Sequence, residues 1–280
     1  MQKTVSPIDN QIYIEREYHS DKIEETLNNS VEAQTSWGHL SVKERVELLK
    51  KFVEDFLSKK DVIAEELCRQ IGRPISQAAG ELGGFKERAD HMLSIAERKL
   101  ADIDVTKDNN FKNFIRRTPL GVVFVIAPWN YPYLTAVNSI IPAMAAGNCV
   151  ILKHSAQTPL CAEQLYKSAE KTLPKDVFNY LHLNHKDGLK IVSDSRINFV
   201  SFTGSVKAGY EVQKATHTKF IDMTLELGGK DPAYARFDCD LDKTIENLVD
   251  GSFFNSGQSC CGIERIYVDE KIYDKFLESF

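Results

Sequence analysis

The sequence predicts an α/β fold: a doubly wound parallel sheet, followed by the beginning of a second α/β domain. Three observations support this fold class. Apolar, strand-like runs alternate with helix-like segments between residues 120 and 227. The runs are apolar at consecutive positions, which is typical of strands buried on both faces of a sheet. A long helical region precedes them, and two glycines at positions 228 and 229 separate them from the C-terminal residues.

The helical region covers residues 21 to 100, where apolar residues recur at intervals of three and four. We expect breaks at Gly72-Arg73-Pro74 and at Gly83-Gly84, because glycine and proline commonly end helices. Residues 101 to 119 are polar and basic, and they are predicted to form an outlying hairpin or a linker.

Beyond Pro119 the chain alternates between strand-like and helix-like segments. Such βαβ repetition predicts parallel strands joined by helices. Sheets of this kind bind ligands beyond the carboxyl ends of their strands, so the site is sought there. The predicted strands are residues 122–126, 149–152, 178–183 and 197–202, with predicted helices at 134–146 and 160–171.

Composition and charge narrow the functional class. A net charge of −5 and a pI near 5.9 argue against nucleic acid or an anionic membrane as partner, since such surfaces attract clustered lysine and arginine. The first nine residues lack the pattern of a secretory signal, and no apolar run is long enough to span a bilayer. The six cysteines and seven histidines show no metal-ligand spacing. We therefore expect no metal site and a reducing, cytoplasmic location.

Cys260 is interpreted as a nucleophile because of the segment around it, Phe-Asn-Ser-Gly-Gln-Ser-Cys-Cys-Gly-Ile-Glu-Arg at 254–265. A structural cysteine lies among apolar neighbours, whereas Asn255 and Gly257 belong to a polar approach that we expect to be flexible. Most cysteines outside a motif are packing residues, so the segment alone leaves both interpretations open. Cys261 is the second candidate by adjacency.

Glu226 is a candidate general base. It lies between Leu225 and Leu227, just before the two glycines. A free thiol has a pKa of about 8.5, so a nearby base or electropositive group must raise the thiolate fraction at neutral pH. The alternative is a glutamate at a strand end that faces solvent.

Three segments resemble signatures of the aldehyde dehydrogenase superfamily and occur in the order typical of it. They are Pro-Trp-Asn-Tyr-Pro at 128–132, Leu-Glu-Leu-Gly-Gly-Lys at 225–230, and Phe-Asn-x-Gly-Gln-x-Cys-x-x-x-x-Arg at 254–265. The similarity extends from about Trp37 to Phe280. It implies a Rossmann-like dinucleotide-binding domain over residues 1–100 and 120–227, an oligomer contact at 101–119, and the start of a catalytic domain at 228–280.

The resemblance also implies a reaction: oxidation of an aldehyde to a carboxylic acid with NAD or NADP, through a thiohemiacetal and a thioester on Cys260. Glu226 is expected to activate the water that hydrolyses the thioester. Asn130 is expected to donate to the substrate oxygen, together with the backbone N–H of Cys260. A turn residue in an Asn-Tyr-Pro bend is the alternative for Asn130.

Cofactor contacts are expected where the fourth predicted strand ends, at Thr203-Gly204-Ser205. Gly204 allows a tight turn, and Ser205 begins a helix whose free N–H groups attract phosphate. A strand-to-helix turn with an N-cap serine is common, so this assignment depends on the resemblance. The resemblance implies a larger set of cofactor contacts: Ile126, Trp129, Lys153, Ala156, Thr203, Gly204, Ser205, Gly209 and Leu227.

Ala156 departs from the pattern of many NAD-preferring relatives, which carry a glutamate at the matching position. A carboxylate there would repel the 2′-phosphate of NADP, and alanine removes that repulsion. We therefore expect tolerance of NADP or a preference for it.

The extent of the protein leaves alternatives open. The family's catalytic domain continues well beyond the nucleophile, whereas this sequence stops at Phe280 within a helix-like pattern and looks truncated. The chain is either the N-terminal part of an aldehyde dehydrogenase, homo-oligomeric as a dimer or tetramer, or a non-catalytic dinucleotide-binding or interaction module. Transfer of the thioester to coenzyme A is disfavoured because Glu226 is available for hydrolysis. Semialdehydes, aliphatic aldehydes and aromatic aldehydes all remain open as small-molecule substrates.

Overall fold

A computed structural model of the protein describes residues 1–107 and 111–280. The N-terminal part consists of an antiparallel hairpin and four helices: β1 Gln2–Val5, β2 Ile12–Arg16, α1 Ile23–His39, α2 Val42–Leu57, α3 Lys60–Ile71 and α4 Ile75–Leu100. The helices confirm the predicted helical region. The hairpin was not predicted, because the buried positions of β1 are the polar residues Gln2 and Thr4 and give no apolar alternation.

Of the two expected helix breaks, one is confirmed. Gly72 ends α3 in the left-handed conformation, with a φ of 70°. The break at Gly83-Gly84 is wrong, since α4 continues through both glycines. A glycine within a helix costs about 1 kcal/mol relative to alanine, and burial of the neighbouring Phe85 side chain outweighs that cost. A Cβ at Gly84 would lie 2.7 Å from Leu134 Cδ1, so glycine allows another helix to pack closely here.

The segment after α4 contains a short antiparallel pair, β3 Ile103–Asp104 with β4 Phe114–Ile115. An ion pair of 2.7 Å between Arg116 and Asp102 lies beside it. Hairpin geometry therefore occurs in the segment predicted to be a hairpin or linker, although its positions 108–110 lie outside the described residues.

A five-stranded, fully parallel sheet and the helices between its strands form the centre of the molecule. In chain order these elements are β5 Val122–Ala127, α5 Pro132–Ala145, β6 Cys149–His154, α6 Pro159–Thr172, β7 Phe178–Tyr180, α7 His185–Ser193, β8 Ile197–Gly204, α8 Val206–Thr216 and β9 Asp222–Leu227. The strands are arranged in the order β7-β6-β5-β8-β9. The chain moves outward from β5 to β7, then crosses back to β8 on the other side of β5, which is the doubly wound arrangement predicted. The third strand is shorter than predicted and ends at Tyr180.

Each face of this sheet has its own hydrophobic core. On one face the sheet packs against α2 to α6, through Phe52, Phe85 and Ile140 among others. On the other face it packs against α7, α8 and the start of α1, where Leu27 is fully buried. Alternate residues of β5 enter the two cores, which explains why this strand is apolar at every position.

Residues after the sheet form a second, smaller β-α-β unit: β10 Asp231–Ala235, α9 Leu241–Phe253, β11 Ile263–Val268 and α10 Tyr273–Ser279. β10 and β11 pair in parallel, and a separate small core joins them to the helices. Within residues 1–107 and 111–280, no helix combines the length and the apolar character that crossing a membrane requires.

Candidate active site

The carboxyl ends of β5, β6, β8 and β9 open into one cleft of about 1030 Å³, which the segment before β11 also borders. Its position at the point where the strand order reverses is the usual ligand site of a doubly wound sheet. The cleft brings together every residue of the predicted site except Gly209. These residues are Ile126, Trp129, Asn130, Lys153, Ala156, Thr203, Gly204, Ser205, Glu226, Leu227 and Cys260.

Gly209 is a buried residue of α8 that faces Leu227 of β9, and it does not border the cleft. A Cβ at this position would lie 2.8 Å from Leu227 Cδ2. Glycine therefore brings α8 close to the sheet, which places the first turn of that helix at the rim of the cleft. Gly209 supports the site through packing and is not part of the cleft lining.

Ser205 is the N-cap of α8, as the sequence predicts. Its hydroxyl oxygen accepts a hydrogen bond of 3.3 Å from the backbone N–H of Ala208. The hydroxyl hydrogen remains available to donate, and the N-terminal end of the helix carries partial positive charge. This turn is therefore suited to an anionic group such as a phosphate.

Lys153 is a buried lysine that borders the cleft, and it belongs to β6 instead of following it. Burial lowers its pKa to about 8. The side-chain nitrogen Nζ donates to the carbonyl of His154 over a long distance of 3.4 Å. An ammonium group has three donors, so this side chain is well placed to bind a further acceptor in the cleft, such as a ribose hydroxyl.

Ala156 lies exposed at the rim of the cleft, in the loop after β6. The N-terminal hairpin holds this loop in place. The side chains of Gln2 and Thr4 donate hydrogen bonds of 3.1 and 2.7 Å to the carbonyl oxygen of Ala156. The methyl group of Ala156 therefore occupies a defined position at the cleft.

The segment leading to Cys260 is ordered by specific contacts, which corrects the expectation of a flexible approach. Three consecutive residues, Asn255, Ser256 and Gly257, have φ angles of 54°, 58° and 72°. For a residue other than glycine this conformation costs about 1 to 3 kcal/mol, so surrounding contacts must impose it. Asn255 is fully buried and hydrogen-bonded through its side chain and its backbone N–H.

Asn130 is held next to this segment in a single orientation. Its Oδ1 accepts a hydrogen bond of 3.0 Å from the N–H of Tyr131, and its Nδ2 donates to the carbonyl of Gln258 at 3.0 Å. The amide nitrogen has two hydrogens, so one remains to point elsewhere. Asn130 thus makes a local bond within its own bend, and its amide also joins that bend to the distant segment before Cys260.

Glu226 lies on the exposed face of β9, the edge strand of the sheet. Its leucine neighbours face the opposite side because side chains alternate along a strand. Alternation, and not burial of the carboxylate, explains the apolar flanks in the sequence. Glu226 borders the same cleft as Cys260, and the N–H of Gly229 donates to the carbonyl of Cys260 at 3.0 Å.

Burial raises the pKa of the Cys260 thiol, and the neighbouring thiol of Cys261 acts in the same direction. The neutral thiol therefore predominates at pH 7. Nucleophilic attack requires the thiolate, so chemistry at this sulfur needs a base or an arriving positive charge.

Several residues of the cleft were missed by the sequence analysis. They lie outside the three signatures: Tyr18, Asn184, His185, Gly188, Lys207 and Glu211. Nothing in the local sequence marks them, because they reach the cleft only through tertiary packing. Tyr18 lies in the segment between β2 and α1, and the others belong to α7, α8 or the N-cap of α7. Arg73 was also given no role by the sequence analysis, and it does not border the cleft. Its position between Gly72 and Pro74 marked it only as part of a helix break, whereas in the structure it is 3% exposed.

The fold and the cleft define a class, the Rossmann-like dinucleotide-binding proteins. Comparison with known proteins then identifies the family. The profile of the aldehyde dehydrogenase family matches residues 1–280. D-glyceraldehyde dehydrogenase (NADP(+)) of Picrophilus torridus is 30% identical over 260 residues, which are 92% of this chain and 53% of that protein. 2-Hydroxymuconic semialdehyde dehydrogenase of Pseudomonas sp. strain CF600 is 33% identical over 249 residues, which are 86% of this chain and 51% of that protein.

A solved structure of 3,6-anhydro-L-galactose dehydrogenase with NADP superimposes with a TM-score of 0.93. It is 31% identical, and the match covers 100% of this chain and 59% of that one. The chain belongs to the aldehyde dehydrogenase family. It spans about half the length of the curated relatives that it matches.

Alkylation of Cys260 by iodoacetamide should depend steeply on pH. Because its pKa is raised, the rate should increase about tenfold from pH 7 to 8 and should continue to rise to pH 9 without a plateau. The rate is measured by mass spectrometry in a Cys261→Ser background, so that one labelled thiol is followed. A plateau below pH 7.5 would show that the thiol is already activated and contradict the pKa shift.

Replacing Lys153 by methionine should stabilise the free chain by about 1 to 3 kcal/mol at pH 7, because a buried charge is removed. Between pH 8 and 10.5 the unfolded chain binds the proton that the folded chain has lost, so wild-type stability rises in this window relative to the variant. Urea unfolding of both proteins measures the difference, which should shrink as the pH rises.

Lys207→Met is the matched control, because Lys207 borders the same cleft but is exposed. Its effect should stay within about 0.5 kcal/mol. A Lys153→Met chain that is less stable than the wild type at pH 7 would contradict the prediction.

Proposed function

We propose that this chain carries the cofactor cleft and the nucleophile of an NAD(P)-dependent aldehyde dehydrogenase, which oxidises an aldehyde to the carboxylic acid. The observation that supports this most directly is the convergence of three distant segments on one cleft. Asn130 contacts the carbonyl of Gln258, and Gly229 contacts the carbonyl of Cys260. A thiol, an amide donor and a carboxylate thus border the same cavity.

The first half of the reaction uses the thiol and the amide. Glu226 takes the proton of Cys260, and the thiolate forms a bond to the aldehyde carbon. The carbonyl oxygen becomes an oxyanion that accepts hydrogen bonds from the free Nδ2 hydrogen of Asn130 and from the N–H of Cys260. Because Oδ1 and the other Nδ2 hydrogen are already bonded, the amide needs no reorganisation when charge develops.

The second half releases the acid. The cofactor, when bound, supplies the acceptor for the hydride that leaves the substrate carbon. Loss of the hydride with its two electrons restores the carbonyl as a thioester of Cys260. Glu226 first releases the thiol proton to solvent, and its carboxylate then takes a proton from water. The hydroxide oxygen bonds to the thioester carbon, the carbon–sulfur bond breaks, and the sulfur leaves as the Cys260 thiolate. The placement of a carboxylate at the cleft supports hydrolysis over transfer to coenzyme A.

The cofactor assignment is supported by the chemistry of the cleft. The N-terminal turn of α8 suits a phosphate, and Lys153 has donors left for a ribose hydroxyl. Ile126 and Leu227 offer apolar surface. Ala156 leaves its position without a carboxylate, which favours acceptance of the 2′-phosphate of NADP alongside NAD. Relatives and a neighbouring structure that use NADP agree with this assignment.

The domain assignment is part of the proposal. Residues 1–100 and 120–227 would form the dinucleotide-binding domain, and residues 228–280 would begin the catalytic domain, since their small core is separate from the sheet cores. The complete protein would assemble as a homo-oligomer through residues 101–119. Exposed apolar side chains support that role: Ile103, Phe111, Phe114 and Ile115. Because the nucleophile is a free thiol, we place the protein in a reducing, cytoplasmic environment.

In the complete protein, Cys260→Ser should abolish aldehyde-dependent formation of NAD(P)H, whereas Cys261→Ser should keep the rate within about threefold. The assay follows absorbance of the reduced cofactor over a panel of semialdehydes, aliphatic aldehydes and aromatic aldehydes.

In the same assay, Asn130→Ala should lower kcat by about a hundred- to a thousandfold, because one oxyanion donor is lost. Cofactor binding without oxidation of any aldehyde would contradict the proposal and favour a binding module.

Ala156→Glu should weaken NADP binding by at least about tenfold while leaving the Kd for NAD within about threefold, because the new carboxylate repels only the 2′-phosphate. Calorimetric titration with each cofactor measures both constants. Ala156→Gln is the control, since it has nearly the same shape without the charge. Equal losses for NAD and NADP, or a strong NAD preference in the wild type, would contradict the assignment.

A further inference from the structure

The segment before Cys260 rests on the corner between α3 and α4, which we define as residues 71–77. Four hydrogen bonds connect this corner to residues 255–258. They run from Gln258 Nε2 to the Ile71 carbonyl at 3.1 Å, from Ser256 Oγ to the Gly72 carbonyl at 3.5 Å, from Arg73 Nε to Asn255 Oδ1 at 2.7 Å, and from the Asn255 N–H to Gln77 Oε1 at 3.0 Å. The corner is therefore a template for the left-handed stretch that precedes the nucleophile.

Arg73 is the centre of this template. Its three nitrogens donate to three different partners: Nε to Asn255, Nη2 to the carbonyl of Asn130 at 3.0 Å, and Nη1 to the carboxylate of Glu81. Its guanidinium also lies 4.7 Å from the ring centroid of Tyr131. A planar guanidinium group can donate to all three acceptors at once, whereas the single ammonium of a lysine cannot, so lysine is not an equivalent residue here.

Glu81 orients the guanidinium group of Arg73. One carboxylate oxygen accepts from Arg73, and the other accepts from the N–H groups of Tyr133 at 2.8 Å and Leu134 at 3.1 Å. These N–H groups belong to the first turn of α5, which has no intrahelical acceptor for them. Arg73 and Glu81 are each 3% exposed, so neither charge has water as an alternative partner.

Asn255 closes the network on the other side. Its Nδ2 donates to the Asn130 carbonyl at 3.0 Å, so the same oxygen accepts from Asn255 and from Arg73. The segment that bears Asn130 and the segment that bears Cys260 are thus both attached to one guanidinium. Movement of that group would change the spacing between the amide donor and the thiol.

We propose that Arg73, oriented by Glu81, is a positioning residue that sets the distance between Cys260 and the Asn130 amide. The inference rests on the proposed function, because that distance matters only if both groups act on one substrate carbon. Arg73 does not border the cleft, so we expect it to contact neither substrate nor cofactor. Its loss should therefore reduce turnover and leave cofactor binding nearly unchanged.

In the complete protein, Arg73→Gln and Arg73→Lys should each lower kcat at least thirtyfold, with KM for the cofactor within threefold of wild type. Arg69→Gln is the matched control: it removes an exposed arginine of α3 that pairs with Glu65, and it should change kcat less than twofold. A cofactor KM that rises in step with the loss of kcat would overturn the proposal, because general damage to the cleft would explain it.

Asn255→Gly provides a second variant if Arg73→Gln fails to fold. Glycine tolerates the positive φ, so this change removes only the side-chain hydrogen bonds. It should also lower kcat at least thirtyfold. The double variant Arg73→Gln/Asn255→Gly should be no more than twofold below the worse single variant, because both changes break one network. Independent, multiplicative losses would overturn the proposal.

Alkylation of Cys260 separates this inference from the proposed function. In a Cys261→Ser background, releasing the segment should speed iodoacetamide labelling of Cys260 at least fivefold, so thiol reactivity and kcat change in opposite directions. The buried thiols of Cys149 and Cys161 should stay unlabelled, which shows that the fold persists. If Cys260→Ser leaves the enzyme active but Arg73→Gln accelerates labelling, the proposed function fails and the positioning stands. If Cys260→Ser is inactive but labelling and kcat are unchanged in Arg73→Gln and Asn255→Gly, the positioning fails alone.

Discussion

The parallel register of β5 with its two neighbours is the constraint on which the site depends. Ile126 of β5 pairs with Lys153 of β6 on one side and with Phe202 of β8 on the other, and β8 in turn pairs Thr203 with Glu226 of β9. Because these strands end at the same edge, the residues that follow them meet in one cleft. A slip of one residue would move every side chain of a strand to the other face, into the wrong core.

Lys153 and Cys260 both border the cleft and share a physical property. Burial lowers the pKa of Lys153 and raises the pKa of Cys260, so in both cases it disfavours the charged form. At pH 7 the buried ammonium of Lys153 costs stability, which is common where function requires a desolvated environment, whereas the neutral thiol of Cys260 does not. An anionic ligand near Lys153 or a base near Cys260 would reverse the disfavoured state.

Backbone strain and buried charge are joined in the segment before the nucleophile. Asn255 and Ser256 adopt left-handed conformations that the local sequence does not favour. These conformations persist because Asn255 accepts a hydrogen bond from Arg73, whose charge is balanced by Glu81 of α4. A buried pair of this kind contributes little to net stability, whereas it specifies one geometry among several. Residues of the N-terminal helical region therefore set the backbone geometry of the segment that precedes Cys260.

The sequence by itself determined the fold class, the alternation of strands and helices in the sheet region, and eleven of the residues that border the cleft. It did so because buried parallel strands are apolar throughout and because the signature segments lie where strands end or begin. Residues 128–132 follow β5, residues 225–230 contain the end of β9, and residues 254–265 lead into β11. Helix boundaries were harder, and Gly84 shows why: its missing Cβ serves the approach of Leu134, a partner 50 positions away that no local pattern reveals. The hairpin β1–β2 could not be predicted from local sequence either, because the buried polar side chains of β1 bond to the distant carbonyl of Ala156.

Tertiary structure alone decided which face Glu226 occupies, how deeply Lys153 is buried, and how Arg73 joins Asn130 to Asn255. Burial and long-range hydrogen bonds depend on how separate segments pack together. A sequence motif gives no information about residues outside the motif that contact it. The signatures therefore name the reactive groups, whereas the packing of α3, α4 and α8 sets the distances between them.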